Sequence, residues 1–521
     1  MAGSSDKMLY LCTLFRLYDM NARKTLLFLF SVMAGLALLC YYFPTDGISL
    51  GWGINLHMPS PGEVLGAETP EEVEEEVAPE DTMPDLTPEQ LLELRQDELT
   101  AAKVEEFRAY SEKNVARIYM PDDDETYLDA FWDAMQTGSS QHVRIMHYGD
   151  SQIECDRITS MLRQRFQESF GGMGVGLVPA LQSVPTFTLR SSIHPDDVPQ
   201  YFAYGPANLH LEDGFYGPLA RVTHIPDSAV IQLAGSGGRD YPKASAFNRL
   251  TVITRQPTSL TITVSDTLEV EPTLSGEKPC FYTASLPRAV ARATIKVVGE
   301  TDILGIQLDG QSGISVDNIP MRGSSGNDLM RIGLTSIAPF FGRENVALII
   351  LQFGGNSVPY MTRSKLHDYK ENTKRLIRFF KGMEPQAKIL FIGPSDMAHM
   401  AEDGTMETYP ILPAMNDSLR AAASEAGAAY WNMYAAMGGR GSMIRWVEES
   451  DPQLAGEDYI HFTPIGAKKI ARILYDTLDF YYRYYRYRTG QDEAELTAKD
   501  SAAVDETIRK NEAEKETKAA E

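Results

Sequence analysis

The sequence predicts an α/β fold: a parallel sheet between helix layers, an antiparallel β-sandwich inserted into it, and one transmembrane helix ahead of it. Three observations predict this. Apolar, β-rich runs alternate with amphipathic helical stretches on both sides of the chain's middle. The middle itself breaks into short β segments separated by turn residues at intervals of about ten. Near the N-terminus, "TLLFLFSVMAGLALLCYYF" (25–43) carries no charged residue and matches the length of a membrane-crossing helix.

The elements follow in order. Residues 1–24 form a short cytoplasmic segment, because Arg16, Arg23 and Lys24 precede the apolar run and no Lys or Arg follows until Arg95. Residues 25–43 read as an anchor that stays attached. The apolar run is long for a cleaved signal peptide, and no A-x-A site follows it. Cys40 raises a lipoprotein, but Leu39 stands where a lipobox wants a small residue. Residues 44–86, with "EEVEEEVAPEDTMPD", read as an acidic tether. Residues 87–138 read as a helical spacer that opens with Thr87 as N-cap and Pro88 at the first helical position.

The α/β core spans 139–194 and 311–488. In its first part "HVRIMHYGDS" reads as strand and turn. "DRITSMLRQRFQESF" then reads as a helix by the spacing of Ile158, Met161, Leu162, Phe166 and Phe170. In its second part "NVALIILQFGGN" and "AKILFIGPSD" are buried strands ending in turns. "LHDYKENTKRLIRFFKGM", "NDSLRAAASEAGAAY" and "PIGAKKIARILYDTLDFYYRYY" are helices. Between the two parts, 195–310 is the inserted β-sandwich. The charged end, 489–521, has few large apolar residues and reads as a disordered tail.

Composition narrows the function. At 521 residues the chain holds two or three domains, and 43% hydrophobic content suits a folded core. A net charge of −24 argues against a nucleic-acid partner. Of four cysteines, only Cys155 and Cys280 could pair, and their spacing does not say whether they do. The absence of CxxC and HExxH makes a zinc site unexpected.

Open α/β sheets place their ligand sites at the carboxyl ends of the strands, so the turns there are where chemistry is sought. The first turn is Gly149-Asp150-Ser151, where either polar residue could cap the next helix or Ser151 could be a nucleophile. The second is "MRGSSGNDLM" (321–330), whose glycines and serines offer N–H groups to an anion. The third is "LQFGGNSV", where the Asn356 amide could face developing negative charge. The fourth is "GEDYIHFTPIGAKKI". There Asp458 and His461 are spaced to share one face of a helical turn, so the carboxylate could hold the imidazole toward a serine. Asp396 and His399 in "SDMAHM" repeat the Asp-x-x-His spacing and rank second, because no glycine-containing helix start follows them. His147 reads as a core or supporting residue.

Gly149-Asp150-Ser151, Gly326, Asn356 and Asp458-x-x-His461, in that order at strand ends, resemble the four blocks of the SGNH (GDSL-like) hydrolase family. The resemblance implies a flavodoxin-like three-layer α/β/α core. "GGMGVGLVP" and "MGGRGSMIRW" are similar to the envelope branch that handles O-acetylated peptidoglycan or other exported glycans. Members of that branch can carry a carbohydrate-binding-like β-sandwich between the first two blocks. The chain departs from the usual Gly-x-Asn-Asp of block three, since Ser357 follows Asn356. In block two either Gly323 or Gly326 could supply the amide, and the family's spacing favours Gly326.

What the resemblance implies is a serine esterase. Ser151 attacks an acetyl ester, His461 moves the proton, and Asp458 fixes the imidazole. Ser151, Gly326 and Asn356 form the oxyanion hole, and no cofactor or metal is needed. The expected substrate is an acetylated envelope glycan, acted on outside the bacterial inner membrane by a single-pass protein with a cytoplasmic N-terminus. Two other readings stand beside it. One is an O-acetyltransferase with the same triad, served by a membrane acyl-donor protein. The other is a non-catalytic glycan-binding protein.

Overall fold

The computed structural model describes residues 88–491, with side chains from 101 onward, and separately a two-residue antiparallel pair, Ile48–Ser49 with Asn55–Leu56. The expected anchor at 25–43 and nearly all of the acidic tether and charged tail lie outside the described residues. Among the described residues no helix is long and apolar enough to cross a membrane.

A six-stranded sheet forms the centre of the larger unit. Its strands are β1 (Ile118–Tyr119), β2 (His142–Gly149), β3 (Gly313–Pro320), β4 (Val346–Gln352), β5 (Lys388–Ile392) and β6 (Ala429–Trp431), in the order β3-β2-β4-β5-β6-β1. Strands β2 to β6 are parallel. The expected all-parallel sheet is corrected at one edge, where β1 runs antiparallel to β6. Two residues that precede the core add themselves to the open edge, a position no periodicity could reveal.

Helices cover both faces, because β2, β4 and β5 are apolar on both sides. On one face Val143, Ile145, Leu348 and Ile350 pack with α2 (Asp129–Gln136), α3 (Thr159–Phe170) and α7 (Pro464–Arg488). On the other, Met146, Tyr148, Ile349 and Leu351 pack with α4 (Leu334–Phe341), α5 (Leu366–Met383) and α6 (Leu412–Ala426). Helix α1 (Pro88–Lys113) rests on α7. The rings of Phe107 and Phe480 lie 4.9 Å apart, and Ser111 Oγ and Tyr481 Oη are hydrogen-bonded at 2.9 Å. The stretch expected to be a spacer thus supplies β1 and α2 to the core.

Between α3 and β3 the chain forms two antiparallel sheets of seven and five strands. They begin earlier than residue 195. Gly174–Val178 already pairs with Thr301–Asp309, and Leu189–His194 with Ser228–Gly235. The glycines of "GGMGVGLVP" serve this close approach. A Cβ on Gly174 would stand 2.0 Å from the Leu308 carbonyl oxygen. Ile231, Ile262 and Ile295 of one sheet and Leu250, Val252 and Ile306 of the other share one apolar cluster.

The parallel register sets the site. Gly149 stands beside Pro320 on one side and Gln352 on the other, and Gln352 stands beside Ile392. Four strands therefore end at one level, and their turns emerge together.

Candidate active site

Ser151 begins the turn after β2. Its backbone is set by its neighbour, since Asp150 Oδ1 accepts from Gln152 N–H at 3.0 Å. The capping role thus falls to Asp150 and leaves the Ser151 side chain free of it. Ser151 Oγ lies 2.8 Å from His461 Nε2. His461 Nδ1 lies 2.7 Å from Asp458 Oδ2. With Nδ1–H donated to the carboxylate, Nε2 is left to accept the serine proton.

The Asp-His pair meets in a tight loop, not on the helical turn expected from its spacing. Gly456 N–H donates to the His461 carbonyl at 2.8 Å, Ala455 bridges Phe462, and Tyr459 takes a left-handed φ of 55°. Asp458 Oδ1 accepts from the Ile460 and His461 N–H groups, at 3.0 and 2.9 Å. Burial would raise the Asp458 carboxyl, but the His461 backbone, the His461 ring and the Ile460 N–H outweigh it and hold it below its ordinary value. It therefore stays an anion at neutral pH.

Helix α7 fixes this loop from behind. Thr463 Oγ1 accepts from Gly466 N–H, and Pro464 sits at the first helical position. Gly466 allows the loop backbone to cross, because a Cβ there would lie 1.8 Å from the Leu454 carbonyl oxygen.

Three residues that sequence reasoning missed join the turns. Gln152 Nε2 donates to the Ile460 carbonyl at 2.6 Å, tying the serine turn to the histidine loop. Glu154 Oε1 accepts from Arg322 Nε at 2.9 Å, and its other oxygen pairs with Arg322 Nη2, tying the serine turn to the turn after β3. The only sequence signal was their place beside the blocks.

Around the serine, the Ser151 N–H donates to no group among the described residues. Asn356 Nδ2 donates one hydrogen to the Ser324 carbonyl at 3.0 Å and keeps a second. Gly326 is the third donor expected from the sequence. Gly326 is buried and its N–H already donates to Ser324 Oγ at 3.0 Å. Its φ of 90° and the rings and methyls of Phe353 and Leu376, 2.9 Å from a would-be Cβ, explain the glycine by packing. Gly323 is exposed, and its N–H donates to no group among the described residues.

Asp396 and His399 do not form a second dyad. Asp396 Oδ2 accepts from Met443 N–H at 2.9 Å and from Thr408 Oγ1 at 3.1 Å, pinning loops. His399 stacks on Tyr409 at 4.4 Å. His147 is fully buried between Gln352 and Thr159, and burial pulls it down to about 4, so it is neutral. Cys155 and Cys280 are free thiols.

Residues 296–469 match the family model described as the GDSL-like Lipase/Acylhydrolase family. Over these residues, which take in the Asn356 turn and the Asp458–His461 loop but not the Ser151 turn, the chain carries a GDSL-like acylhydrolase domain, and this supports an ester-bond hydrolase. Among solved structures it is similar to a peptidoglycan O-acetylesterase, with a TM-score of 0.57 and 21% identity over 71% of this chain and 99% of that one. It also aligns with a family two carbohydrate esterase from Clostridium thermocellum (TM-score 0.25, 10% identity, 51% and 97% covered). A carbohydrate acetylesterase from Sinorhizobium meliloti aligns as well (0.23, 15%, 32% and 78%). Only the first of these likenesses bears on the fold. No curated protein matches the chain.

Proposed function

We propose that the protein is an exported, membrane-anchored serine esterase that removes O-acetyl groups from an envelope glycan. The observation that carries the chemistry is the unbroken chain Ser151 Oγ, His461 Nε2, His461 Nδ1, Asp458, at 2.8 and 2.7 Å. Ser151 Oγ attacks the ester carbonyl while His461 Nε2 takes its proton. The oxyanion is held by the Ser151 N–H and the second Asn356 hydrogen, with Gly323, not Gly326, as the third donor. His461 returns the proton to the departing sugar oxygen, and water then repeats the sequence on the acyl-serine to release acetate. The peptidoglycan O-acetylesterase likeness supports a glycan ester as substrate. The uncharged run at 25–43 supports an inner-membrane anchor with the catalytic part outside, and the antiparallel sheets suit a carbohydrate-holding role.

The test measures acetate released from a chromogenic acetyl ester and from acetylated peptidoglycan by the wild type, Ser151→Ala and Asn356→Ala. We expect Ser151→Ala to lose at least about a thousandfold in kcat. Asn356→Ala should lose about a hundred- to a thousandfold, the usual cost of one oxyanion donor. Full activity in Ser151→Ala would overturn the mechanism. Release that depends on an added glycan acceptor would replace the esterase with an acyltransferase.

A further inference from the structure

A cavity of about 330 Å³ lies beside the serine turn, walled by the core on one side and by the antiparallel sheets on the other. Glu154, Cys155 and Asp156 form one edge. Only two residues, Gln152 and Ile153, separate Ser151 from Glu154, a span of at most about 10 Å. The scale is that of a sugar next to the one whose ester is cut.

The charges in this cavity do not balance. Three arginines and two carboxylates line it. Arg163 is paired with Asp156 at 3.1 Å, and Arg322 holds both oxygens of Glu154. The side chain of Arg221, half-buried on the strand Arg221–Ile225, makes no hydrogen bond or ion pair among the described residues. Leaving a guanidinium desolvated and unpaired costs free energy that a bound anion would return. Burial pulls Arg221 below its ordinary value, against the pull of Tyr204 and Glu154, as a cation short of a partner should behave.

The remaining walls fit a sugar. Phe202 and Tyr204 present rings 5.3 Å apart in an edge-to-face pair. Leu177 and Val178 add apolar surface. The volume is at the small end of ligand pockets, enough for about one ring with its substituent.

We propose that this cavity is a subsite for an acidic sugar at or next to the acetylated position, with Arg221 gripping its carboxylate. A single free arginine matches a monoanion, and its planar fork suits two carboxylate oxygens. This inference rests on the glycan-esterase reading and adds the class of glycan.

The experiment compares the full-length wild type with Arg221→Gln and Arg221→Lys. The substrates are a chromogenic acetyl ester, a neutral acetylated glucomannan, acetylated polygalacturonate (carboxylate on the ring) and acetylated peptidoglycan (carboxylate on an ether arm). For Arg221→Gln we expect KM to rise about tenfold to a hundredfold on at least one acidic glycan, with kcat on the chromogenic ester within about twofold. Arg221→Lys should recover part of that loss. Which acidic polymer responds tells the two carboxylate sources apart. Equal losses on neutral and acidic glycans, or no loss on either acidic one, would overturn the subsite while leaving the esterase reading intact. A wild type that cleaves the chromogenic ester but no glycan would overturn both. A second measurement needs no variant. Free galacturonate should compete with the acidic glycan at concentrations where galactose does not, and equal competition would sink the proposal.

Discussion

At the scale of single residues, Asp150 shows how the nucleophile turn is built against its own electrostatics. Its carboxyl is buried, accepts from Gln152 N–H, and burial pushes it up to about 6, opposed by that N–H and by His461. A group raised in the fold stabilises it when protonated and loses that contribution as pH rises through the folded value. Ionised Asp150 is therefore a cost at neutral pH. Asp150→Asn keeps the acceptor for Gln152 N–H and removes the charge. Its stability relative to the wild type should rise between about pH 4 and 6 and level off above, by up to about 3 kcal/mol. Denaturant midpoints at pH 4 and 7.5 check this, and a variant less stable than the wild type at 7.5 would contradict it. The residue scale is also where the sequence was least legible. Ser151, Asp458 and His461 could be read from their order. The choice between Gly323 and Gly326 could not, because it turns on where the Ser324 hydroxyl points. Gln152, Glu154 and Arg322 have no spacing rule that would single them out.

At the scale of elements, the site is a consequence of register. Gly149, Pro320, Gln352 and Ile392 end their strands at one level, so turns far apart in sequence converge. This much was legible, because buried strands and amphipathic helices each carry a strong period. The edge strand Ile118–Tyr119 was not, since two residues have no period. Nor was Gly174–Val178, whose glycines hide its pairing with Thr301–Asp309. The histidine loop gives a sharp test of element geometry. Gly to Ala within a helix normally stabilises by roughly 0.5–1 kcal/mol. At Gly466 the new Cβ would meet the Leu454 carbonyl oxygen at 1.8 Å, a clash with rigid backbone. Overpacking of this kind costs about 1–3 kcal/mol or more and outweighs propensity. We expect Gly466→Ala to lower the melting temperature and to reduce kcat on a small acetyl ester more than it changes KM, because the loop that carries His461 must shift. Unchanged kinetics would show that His461 is held from elsewhere.

At the scale of the whole molecule, a buried ion cluster joins the antiparallel sheets to the core at the end of the strands away from the site. Arg144 on β2 holds both oxygens of Asp317 on β3 at 2.7 and 2.8 Å and pairs with Asp309 on the strand Thr301–Asp309. Its Nε reaches Glu344 at 3.3 Å, and Leu177 N–H donates to Asp317 at 2.8 Å. All four charged groups are buried. Such a cluster adds little net stability over an apolar one, but losing one member leaves charges stranded. Arg144→Ala removes the only cation paired with Asp309 and Asp317 among the described residues, since the neighbouring His142 is pulled down to about 4 by burial and is neutral. The expected loss is about 3–5 kcal/mol near neutral pH. The stranded carboxylates can escape by binding protons, so their values in the variant rise, and stability is lost as pH climbs through them. The deficit of Arg144→Ala should thus be largest at pH 8 and shrink toward pH 4. Because Ser151 lies at the opposite end of β2, kcat per folded molecule should stay close to that of the wild type. Chemical unfolding at the two pH values, with active-site titration of the folded fraction, reads both. A deficit that does not change with pH would mean that Arg144 acts through packing rather than charge.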